Sequence, residues 1–152
     1  MCNNKPKISI IIPCYNVSDY IDKCVASLVS QTIGFHNLEC IFVDDASTDD
    51  TLLKLASWEE KYPDNILVIH CEENGKQGQA RNIGLSYSTA DYIGYIDSDD
   101  YIAPTMYQCL YDTIIKHNVD LVECGYIREY ADGTIASEGE HYDSDIGPIF
   151  IE

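Results

Sequence analysis

The sequence predicts an α/β protein with a mostly parallel central sheet and helices on both of its faces. Short apolar runs rich in β-branched residues recur along the chain, and amphipathic segments of helical period separate them. Polar clusters follow these runs. Strands that alternate with helices pair in parallel, because each crossover helix returns the chain to the same edge of the sheet. The length of 152 residues is that of a single domain.

The first unit of this alternation occupies residues 8–32. The continuous apolar run ISIIIP at 8–13 predicts a strand that is buried on both faces. Ser18 is expected to cap the following helix, which we predict over 18–32 because apolar residues recur there three and four positions apart. Gly34 is expected to end that helix.

Further strand and helix units follow the first. Apolar runs predict three more strands, at 39–43, 66–70 and 92–96. The polar stretch 44–51 predicts a turn into a helix, with Ser47 and Asp50 spaced as a capping box. A loop with two glycines at 72–78 leads into the next helix, which we expect to end near residue 88.

The chain changes character after a helix that is expected to follow Pro104. The run DLVEC at 120–124 predicts a short strand, and Asp132-Gly133 between alternating residues predicts a β-hairpin. The final stretch is apolar, and a complete domain rarely ends on apolar residues with nothing left to pack on them. We therefore expect residues 1–152 to form one domain that is truncated before the region that completes it.

The composition excludes some classes of partner. Nine basic and 26 acidic residues give a formal net charge of −17, whereas a nucleic-acid surface needs a basic stripe, so no nucleic-acid partner is expected. A signal peptide and a membrane-spanning run are both missing from the pattern, which predicts a cytoplasmic protein. The seven cysteines form no CxxC pair and are expected to be reduced. If so acidic a protein binds a phosphate ligand, something else must supply positive charge.

Polar residues cluster directly after three of the predicted strands. The clusters are Pro13-Cys14-Tyr15-Asn16, Asp44-Asp45-Ala46-Ser47 and Asp97-Ser98-Asp99-Asp100. Turn chemistry explains any one of them, because Asn, Asp and Ser side chains bond to nearby backbone. The carboxyl ends of parallel strands meet at one edge of the sheet, where α/β proteins bind their ligands. Three clusters in equivalent places therefore predict a binding site at that edge.

The third cluster indicates a metal ion. Asp97, Asp99 and Asp100 place three carboxylates within four residues, and their mutual repulsion makes folding costly without a cation. Oxygen ligands suit Mg²⁺ or Mn²⁺, and such an ion would bridge the carboxylates to a diphosphate. The alternative is a solvated acidic turn before Pro104.

The usual phosphate-binding loops are missing from the sequence. The segment 74–78 (NGKQG) lacks the GK[ST] of a P-loop, and no G-x-G-x-x-G follows the first strand. Gly75 and Gly78 would still allow close backbone approach to a ligand. Arg81, in the helix that follows, is suited to phosphate, and its alternative is a surface salt bridge.

Four motifs in this order resemble the nucleotide-sugar-binding part of the inverting glycosyltransferases of family 2, which have the Rossmann-like GT-A fold. The matching segments are ISIIIPCYN at 8–16, VDDASTDDT at 43–51, ENGKQGQARNIG at 73–84 and YIDSDD at 95–100. The resemblance covers residues 7 to about 125. It implies a nucleoside-diphosphate sugar donor, commonly a UDP-sugar, bound through Mg²⁺ or Mn²⁺. It also implies a hydroxyl acceptor such as a growing cell-surface polysaccharide or a lipid-linked glycan.

The resemblance assigns roles to individual residues. The donor-binding residues that it implies are Pro13, Tyr15, Asn16, Asp44, Asp45, Gly78, Arg81, Asp97 and Ser98. Pro13 and Tyr15 would flank the base, and Asp45 would accept a hydrogen bond from the uracil edge while Asp44 supports its loop. Arg81 would lie near the base and phosphates, and Asp97 near the ribose or sugar.

The same resemblance places the metal at Asp99 and Asp100, and it leaves open which of the two is the inner-sphere ligand. Tyr101 follows them and is a candidate for sugar contact. Family members carry an acidic general base in a later, acceptor-binding region. Glu123, Asp143 and Asp145 are acids after residue 101, but none lies in a recognisable motif. We therefore expect the base to lie beyond Glu152 and this part of the chain to bind donor and metal yet transfer poorly.

Two other classes of function compete with this interpretation. A metal-dependent nucleotidyltransferase would carry a basic glycine-rich loop after the first strand, where this chain has CYNVSDY. An aspartyl-phosphate phosphatase would have its DxD at the first strand rather than the fourth. A non-catalytic nucleotide-binding module remains compatible with the sequence. The full-length protein is further expected to associate peripherally with the inner membrane surface, where lipid-linked acceptors lie.

Overall fold

The computed structural model describes residues 5–130, 134–138 and 150–151. Its strands are β1 (Ile8–Cys14), β2 (Leu38–Asp44), β3 (Ile66–His70), β4 (Tyr92–Tyr95), β5 (Gly125–Glu129), β6 (Ile135–Glu138) and β7 (Phe150–Ile151). Its α-helices are α1 (Ile21–Val29), α2 (Thr51–Lys61), α3 (Lys76–Tyr87) and α4 (Met106–His117), and a 3-10 turn at Phe35–Asn37 precedes β2. Strand and helix alternate from β1 to α4, as the sequence predicts.

The first four strands form one parallel sheet in the order β3-β2-β1-β4. Chain order and spatial order therefore differ, because the chain returns across β1 to place β4 on its other side. Cys14 lies opposite Asp44, and Asp44 lies opposite His70. The carboxyl ends of β1, β2 and β3 are thus level with one another, so the loops that follow them meet at one edge.

Helices cover both faces of this sheet. The residues of β1 that face α1, α2 and the start of α4 are Ile8, Ile10, Ile12 and Cys14. Helix α3 lies on the opposite face, where Ala80 packs with Ile41 and Val43. Gly84 allows that close approach, because a Cβ there would lie 2.5 Å from Ile11 Cγ2. Burial on both faces explains why β1 reads as a continuous apolar run rather than an alternating one.

A smaller sheet in the order β6-β5-β7 follows α4. Strands β5 and β6 pair antiparallel, and the Tyr130 backbone N–H donates to the Thr134 carbonyl at 2.9 Å, so the predicted hairpin is confirmed. Its expected turn residues, Asp132 and Gly133, lie outside the described residues.

The strand predicted at 120–124 is wrong, because the structure has irregular backbone there and β5 begins only at Gly125. A cavity of about 680 Å³, lined by β4, α4 and this segment, separates 120–124 from β4. Backbone that has no neighbouring strand at hydrogen-bonding distance forms no ladder, whatever its β propensity. Leu121 is consequently 72% exposed despite its apolar side chain.

The predicted start and end of the first helix are also wrong. Helix α1 begins at Ile21 with Tyr20 in the N-cap position, and it ends at Val29. Ser18 does not cap it, because the Ser18 backbone N–H is directed into the neighbouring loop and donates to Asp49. Gly34 instead precedes the 3-10 turn with a left-handed φ of 88°.

Two other predictions concern the cysteines and the membrane. The six cysteines in the described part of the chain are free, and three of them, Cys14, Cys24 and Cys40, are buried; Cys2 lies outside it. Across residues 5–130, 134–138 and 150–151, no helix is long and apolar enough to cross a bilayer.

Candidate functional site

The loops after β1 and β2 are fastened to each other by Asn16. Its side-chain oxygen accepts a hydrogen bond from the Thr48 backbone N–H at 2.8 Å, and its own backbone N–H donates to Ser47 Oγ at 3.0 Å. Ser47 is therefore used between loops, and the predicted capping box is wrong, since Asp50 occupies the N-cap of α2 without a side-chain capping bond. Asn16 has a left-handed φ of 52°, which asparagine tolerates better than most residues.

This fastening leaves the Tyr15 ring at the surface. Tyr15 is 50% exposed at the end of β1, whereas the neighbouring Pro13 is buried in the sheet. An exposed ring held by a rigid backbone is available for stacking on a flat ligand. Because Pro13 is buried, we expect it to contact such a ligand only at the end of β1.

Asp49 joins the same two loops through its carboxylate. One oxygen accepts from the Thr51 backbone N–H at 3.0 Å and the other from the Ser18 backbone N–H at 3.1 Å. Desolvation acts to raise the pKa of Asp49, but the hydrogen bonds from Thr51 and Ser18 outweigh it and lower the pKa to about 2. The charged form of Asp49 is thus the one that stabilises the folded loops.

We expect the effect of Asp49→Asn on stability to depend on pH. The folded pKa of about 2 lies below the unfolded value of roughly 3.9. The contribution is therefore present above about pH 4 and is lost as the pH falls through 2. Because Asp49 is exposed, we expect the variant to lose less than about 1 kcal/mol at pH 7 and to approach the wild type only below about pH 2. Urea unfolding at several pH values measures this, with Asp50→Asn as the control; a difference that does not shrink as the pH falls from 7 to 2 would contradict it.

Asp44 and His70 form a pair at the ends of β2 and β3. Asp44 is fully buried, and its Oδ2 lies 2.7 Å from Nδ1 of His70. The His70 side chain is 46% exposed. The other oxygen, Oδ1, is buried and has no hydrogen-bond partner in the described part of the chain. Asp44 therefore joins the ends of β2 and β3 through His70, a partner that the sequence did not indicate, and its support of the donor-binding loop stays a prediction.

Asp45 holds the start of α3. One of its carboxylate oxygens accepts from the Gly75 N–H at 2.8 Å, and the other accepts from the Lys76 N–H at 2.9 Å. The Asn74 side chain also donates to the Asp45 carbonyl at 3.2 Å. A negative charge at this position also interacts favourably with the positive end of the helix. Asp45 is only 4% exposed, and its carboxylate is occupied by the loop before α3; its contact with a ligand stays a prediction.

Arg81 reaches from α3 to the end of β4. Its guanidinium donates to Asp97 Oδ1 at 2.9 Å, and Gln77 donates to the same oxygen at 2.8 Å. Arg81 also lies 5.8 Å from the centroid of the Tyr95 ring, and its Nε is buried without a partner in the residues described. The salt-bridge alternative for Arg81 is thus realised, and much of its charge is directed at Asp97.

The rest of the acidic cluster turns back toward α1. Burial raises the pKa of the Cys14 thiol, and the side chain of Ser98, which is also buried, acts in the opposite direction. Burial also raises the pKa of Cys24 to about 12, with Asp100 and then Asp99 adding to it. The two carboxylates therefore lie near the first helix, at the same edge as the loops after β1 and β2.

Asp99 and Asp100 fit a metal site in which two carboxylates supply part of the coordination and a bound substrate supplies the rest. Asp99 is exposed, and no hydrogen bond or ion pair within the described ranges holds its carboxylate. Those ranges contain no group of three or more His, Cys, Asp or Glu residues that could hold an ion by themselves. Mg²⁺ is commonly bound by one or two carboxylates together with substrate phosphates and water. An exposed carboxylate beside a second one matches that kind of site.

Tyr101 makes contacts that its sequence position did not reveal. Its hydroxyl donates to Glu129 of β5, and Lys23 Nζ of α1 lies 3.3 Å from the centroid of its ring. Lys23 also lies 3.5 Å from Glu129. The ring expected to contact a sugar therefore also connects α1 with the smaller sheet.

At this edge of the sheet, three non-glycine residues have a left-handed backbone conformation, namely Asn16, Ala46 and Lys76. Asn16 and Ala46 lie in the loops after β1 and β2, and Lys76 is the first residue of α3. Such conformations persist where the surrounding structure imposes them, and they are frequent at functional sites. Gly78, by contrast, has open space around its Cα, because a Cβ there would meet nothing within 4 Å. Its use for close approach by a ligand stays a prediction.

The chain resembles several glycosyltransferases in sequence. It is 37% identical over 127 residues to the glycosyltransferase EpsJ of Bacillus subtilis, an alignment that covers 84% of this chain and 36% of EpsJ. It is 34% identical over 116 residues to the minor teichoic acid biosynthesis protein GgaB of the same organism, covering 75% of this chain and 13% of GgaB. The chain thus spans about a third or less of these relatives' lengths.

Solved structures agree with these relatives. S. aureus TarS 1–349 in complex with UDP-GlcNAc superposes with a TM-score of 0.70 at 33% identity, covering 75% of this chain and 32% of that one. The same protein was also solved with UDP. The mannosyltransferase PcManGT of Pyrobaculum calidifontis, in complex with GDP-Man and Mn²⁺, superposes with a TM-score of 0.61 at 27% identity, covering 67% of this chain and 30% of that one. The parallel sheet with helices on both faces is therefore the GT-A fold.

The sequence profile of glycosyl transferase family 2 matches residues 9–150, which is nearly the whole chain. That match includes the loops after β1, β2 and β4 and the start of α3. The chain belongs to glycosyl transferase family 2.

Proposed function

We propose that this chain binds a nucleoside-diphosphate sugar, with UDP as the nucleotide, and belongs to a protein that transfers the sugar to a hydroxyl group. The observation that carries the proposal is the convergence of Tyr15, Asp45, Asp97 and Asp99 at one edge of the sheet. The similarity to TarS, which was solved with UDP and UDP-GlcNAc, supports UDP as the nucleotide. The relationship to GgaB supports a cell-surface glycan as acceptor.

The nucleotide base would stack on Tyr15 at the end of β1. Each oxygen of the Asp45 carboxylate already accepts one backbone N–H, from Gly75 and from Lys76. A carboxylate oxygen accepts more than one hydrogen bond, so the N3–H of uracil would be a further donor to Asp45. The hydrogen bonds of Asn16 and Asp49 hold both loops in place before the nucleotide arrives, which lowers the entropic cost of binding.

The diphosphate would lie toward the end of β4, beside Asp99 and Asp100. These residues would hold Mg²⁺ or Mn²⁺, and the bound ion would stabilise the negative charge that develops on the leaving phosphate oxygen. Asp97, held by Arg81 and Gln77, would present its free oxygen to the ribose or the sugar.

Transfer would proceed with inversion at the anomeric carbon. The acceptor oxygen forms a bond to that carbon from the face opposite the diphosphate, the bond to the diphosphate oxygen breaks, and the acceptor proton passes to a carboxylate base. We place that base outside residues 1–152, in the part of the relatives that this chain does not span. Positioning of the donor is therefore the contribution of this chain.

Calorimetric titration of UDP, with and without Mn²⁺, tests the proposal. We expect Mn²⁺ to strengthen UDP binding by about tenfold or more, because Asp99 and Asp100 would hold the ion and its charge would offset that of the diphosphate. The Asp99→Ala/Asp100→Ala double variant is expected to lose that gain. The control is Glu60→Ala/Asp64→Ala, which removes the same charge from exposed positions near the opposite edge of the sheet. Absence of UDP binding by the wild type under both conditions would overturn the proposal.

A further inference from the structure

Almost every basic side chain of this acidic protein is already engaged within the described residues. Lys5, Lys23, Lys54 and Arg81 form ion pairs with carboxylates, and Lys7, Lys61 and Arg128 lie over aromatic rings. Two of the nine basic residues remain, Lys76 and Lys116, whose side chains make no hydrogen bond, ion pair or ring contact there. Lys76 and Lys116 are therefore the basic side chains of this part of the chain that are not already engaged, and a metal ion is a further source of positive charge for an anionic ligand.

The two remaining lysines lie at different ends of the sheet. Lys76 is the first residue of α3, and its backbone N–H is held by Asp45 at 2.9 Å and by Asn74 at 3.2 Å. The next residue, Gln77, contacts Asp97. Lys76 is thus fixed between the cluster after β2 and the cluster after β4. Lys116 lies in the last turn of α4, which runs from the end of β4 back toward the amino ends of the strands.

Lys76 is locally unfavourable where it lies. Its φ of 70° is in the left-handed region, a conformation in which a glycine would be unstrained. Its charge adds to the positive end of α3, whose first turn contains no acidic residue, so that the Asp45 carboxylate on the Gly75 and Lys76 N–H groups offsets only part of this cost. The backbone strain would affect any residue with a Cβ, whereas the electrostatic cost is specific to a cation. A bound anion would offset the electrostatic one.

We propose that Lys76 binds the diphosphate of the nucleotide donor, as the side-chain cation that acts beside the metal. This inference rests on the proposed function and adds to it a residue that binds the phosphate groups rather than the base. Arg81 is directed at Asp97, and Lys76, whose neighbour Gln77 donates to Asp97, is the uncommitted lysine at this edge in the part of the chain that the structure describes. It accounts for phosphate binding by a protein whose net charge is −17.

The test compares uridine, UMP and UDP as ligands of wild type, Lys76→Gln, Lys76→Arg and Lys76→Gly by calorimetry at fixed Mn²⁺. Lys76→Gln is expected to weaken UDP binding about tenfold, because a charge-assisted contact to phosphate is lost, and to leave uridine binding unchanged. Lys76→Arg should remain within about threefold of wild type for UDP. Lys116→Gln is the matched control and should bind all three ligands as the wild type does.

Lys76→Gly separates charge from backbone conformation. Glycine removes the cation and relieves the left-handed strain, so we expect it to weaken UDP binding as much as glutamine does. Recovery of UDP binding by glycine would show that the loop conformation, not the charge, is responsible and would overturn the inference. Equal losses for uridine and UDP, or no loss with Lys76→Gln, would overturn it too while leaving the proposed function standing. A wild type that binds none of the three ligands would overturn both.

Discussion

Replacing Asp45 by alanine is expected to lower the free energy of unfolding by about 3 kcal/mol, because two charge-assisted hydrogen bonds are lost at once. The carboxylate accepts the backbone N–H groups of Gly75 and Lys76, and the variant would leave both donors without it at the start of α3. Urea unfolding followed by circular dichroism measures the change. UDP binding should weaken in the same variant, since Asp45 would no longer hold the loop before α3 or accept a hydrogen bond from the base.

Two controls make the Asp45 prediction specific. Asp45→Asn keeps one acceptor oxygen but turns an amide donor toward the second N–H, so we expect an intermediate loss. Asp50→Ala removes an acid from the N-cap of α2, where it makes no side-chain capping bond, and should cost no more than about 0.5 kcal/mol. An Asp45→Ala variant as stable as Asp50→Ala would contradict the role assigned to this carboxylate.

Replacing His70 by alanine is expected to lower the free energy of unfolding by about 2 kcal/mol at pH 7, because Asp44 would be left buried without its partner. One Asp44 oxygen is already without a hydrogen bond in the described residues, and His70 Nδ1 lies 2.7 Å from the other. Because His70 is half-exposed, water would enter the space that its ring leaves and would offset part of the loss of stability. Chemical denaturation gives the difference directly.

A double-variant cycle isolates this pair from other effects. Asp44→Asn removes the buried charge, and we expect the Asp44→Asn/His70→Ala double variant to lose less stability than the two single variants added together. His117→Ala, at an exposed position in the last turn of α4, controls for the loss of a histidine as such. Strict additivity of the two single effects would show that Asp44 and His70 do not act as a pair.

The strands and the faces of the sheet could be predicted because burial leaves a direct mark on composition. The apolar run at 8–13 became β1 with every residue buried, and the runs at 39–43 and 66–70 became β2 and β3 within one residue at each end. Helix ends were less predictable. Ser18 and Ser47 have the side chains of caps, but the backbone of Ser18 and the side chain of Ser47 serve contacts between the loops after β1 and β2. The sequence around a serine does not show whether it will cap a helix or bond to a neighbouring loop.

The location of the candidate site could be predicted for a related reason. Polar residues placed directly after parallel strands must meet at one edge, so Asn16, Asp45 and Asp97 were expected together without any knowledge of their partners. Their partners could not be predicted. Pairing of Asp44 with His70 depends on the register of β2 and β3, and the contact of Arg81 with Asp97 depends on the placement of α3.

The sequence alone therefore determined the fold class, the order of its elements, the edge that carries the polar clusters and the family whose motifs they match. Hydrophobic periodicity and the short spacing of motifs encode these properties locally along the chain. The tertiary structure decided which charges are free. It directs Arg81 to Asp97, leaves Lys76 without a side-chain partner in the described residues, and gives Asp45 a second task at α3. Electrostatic partnership depends on distances of a few ångströms between residues far apart in the chain, and only packing sets those distances.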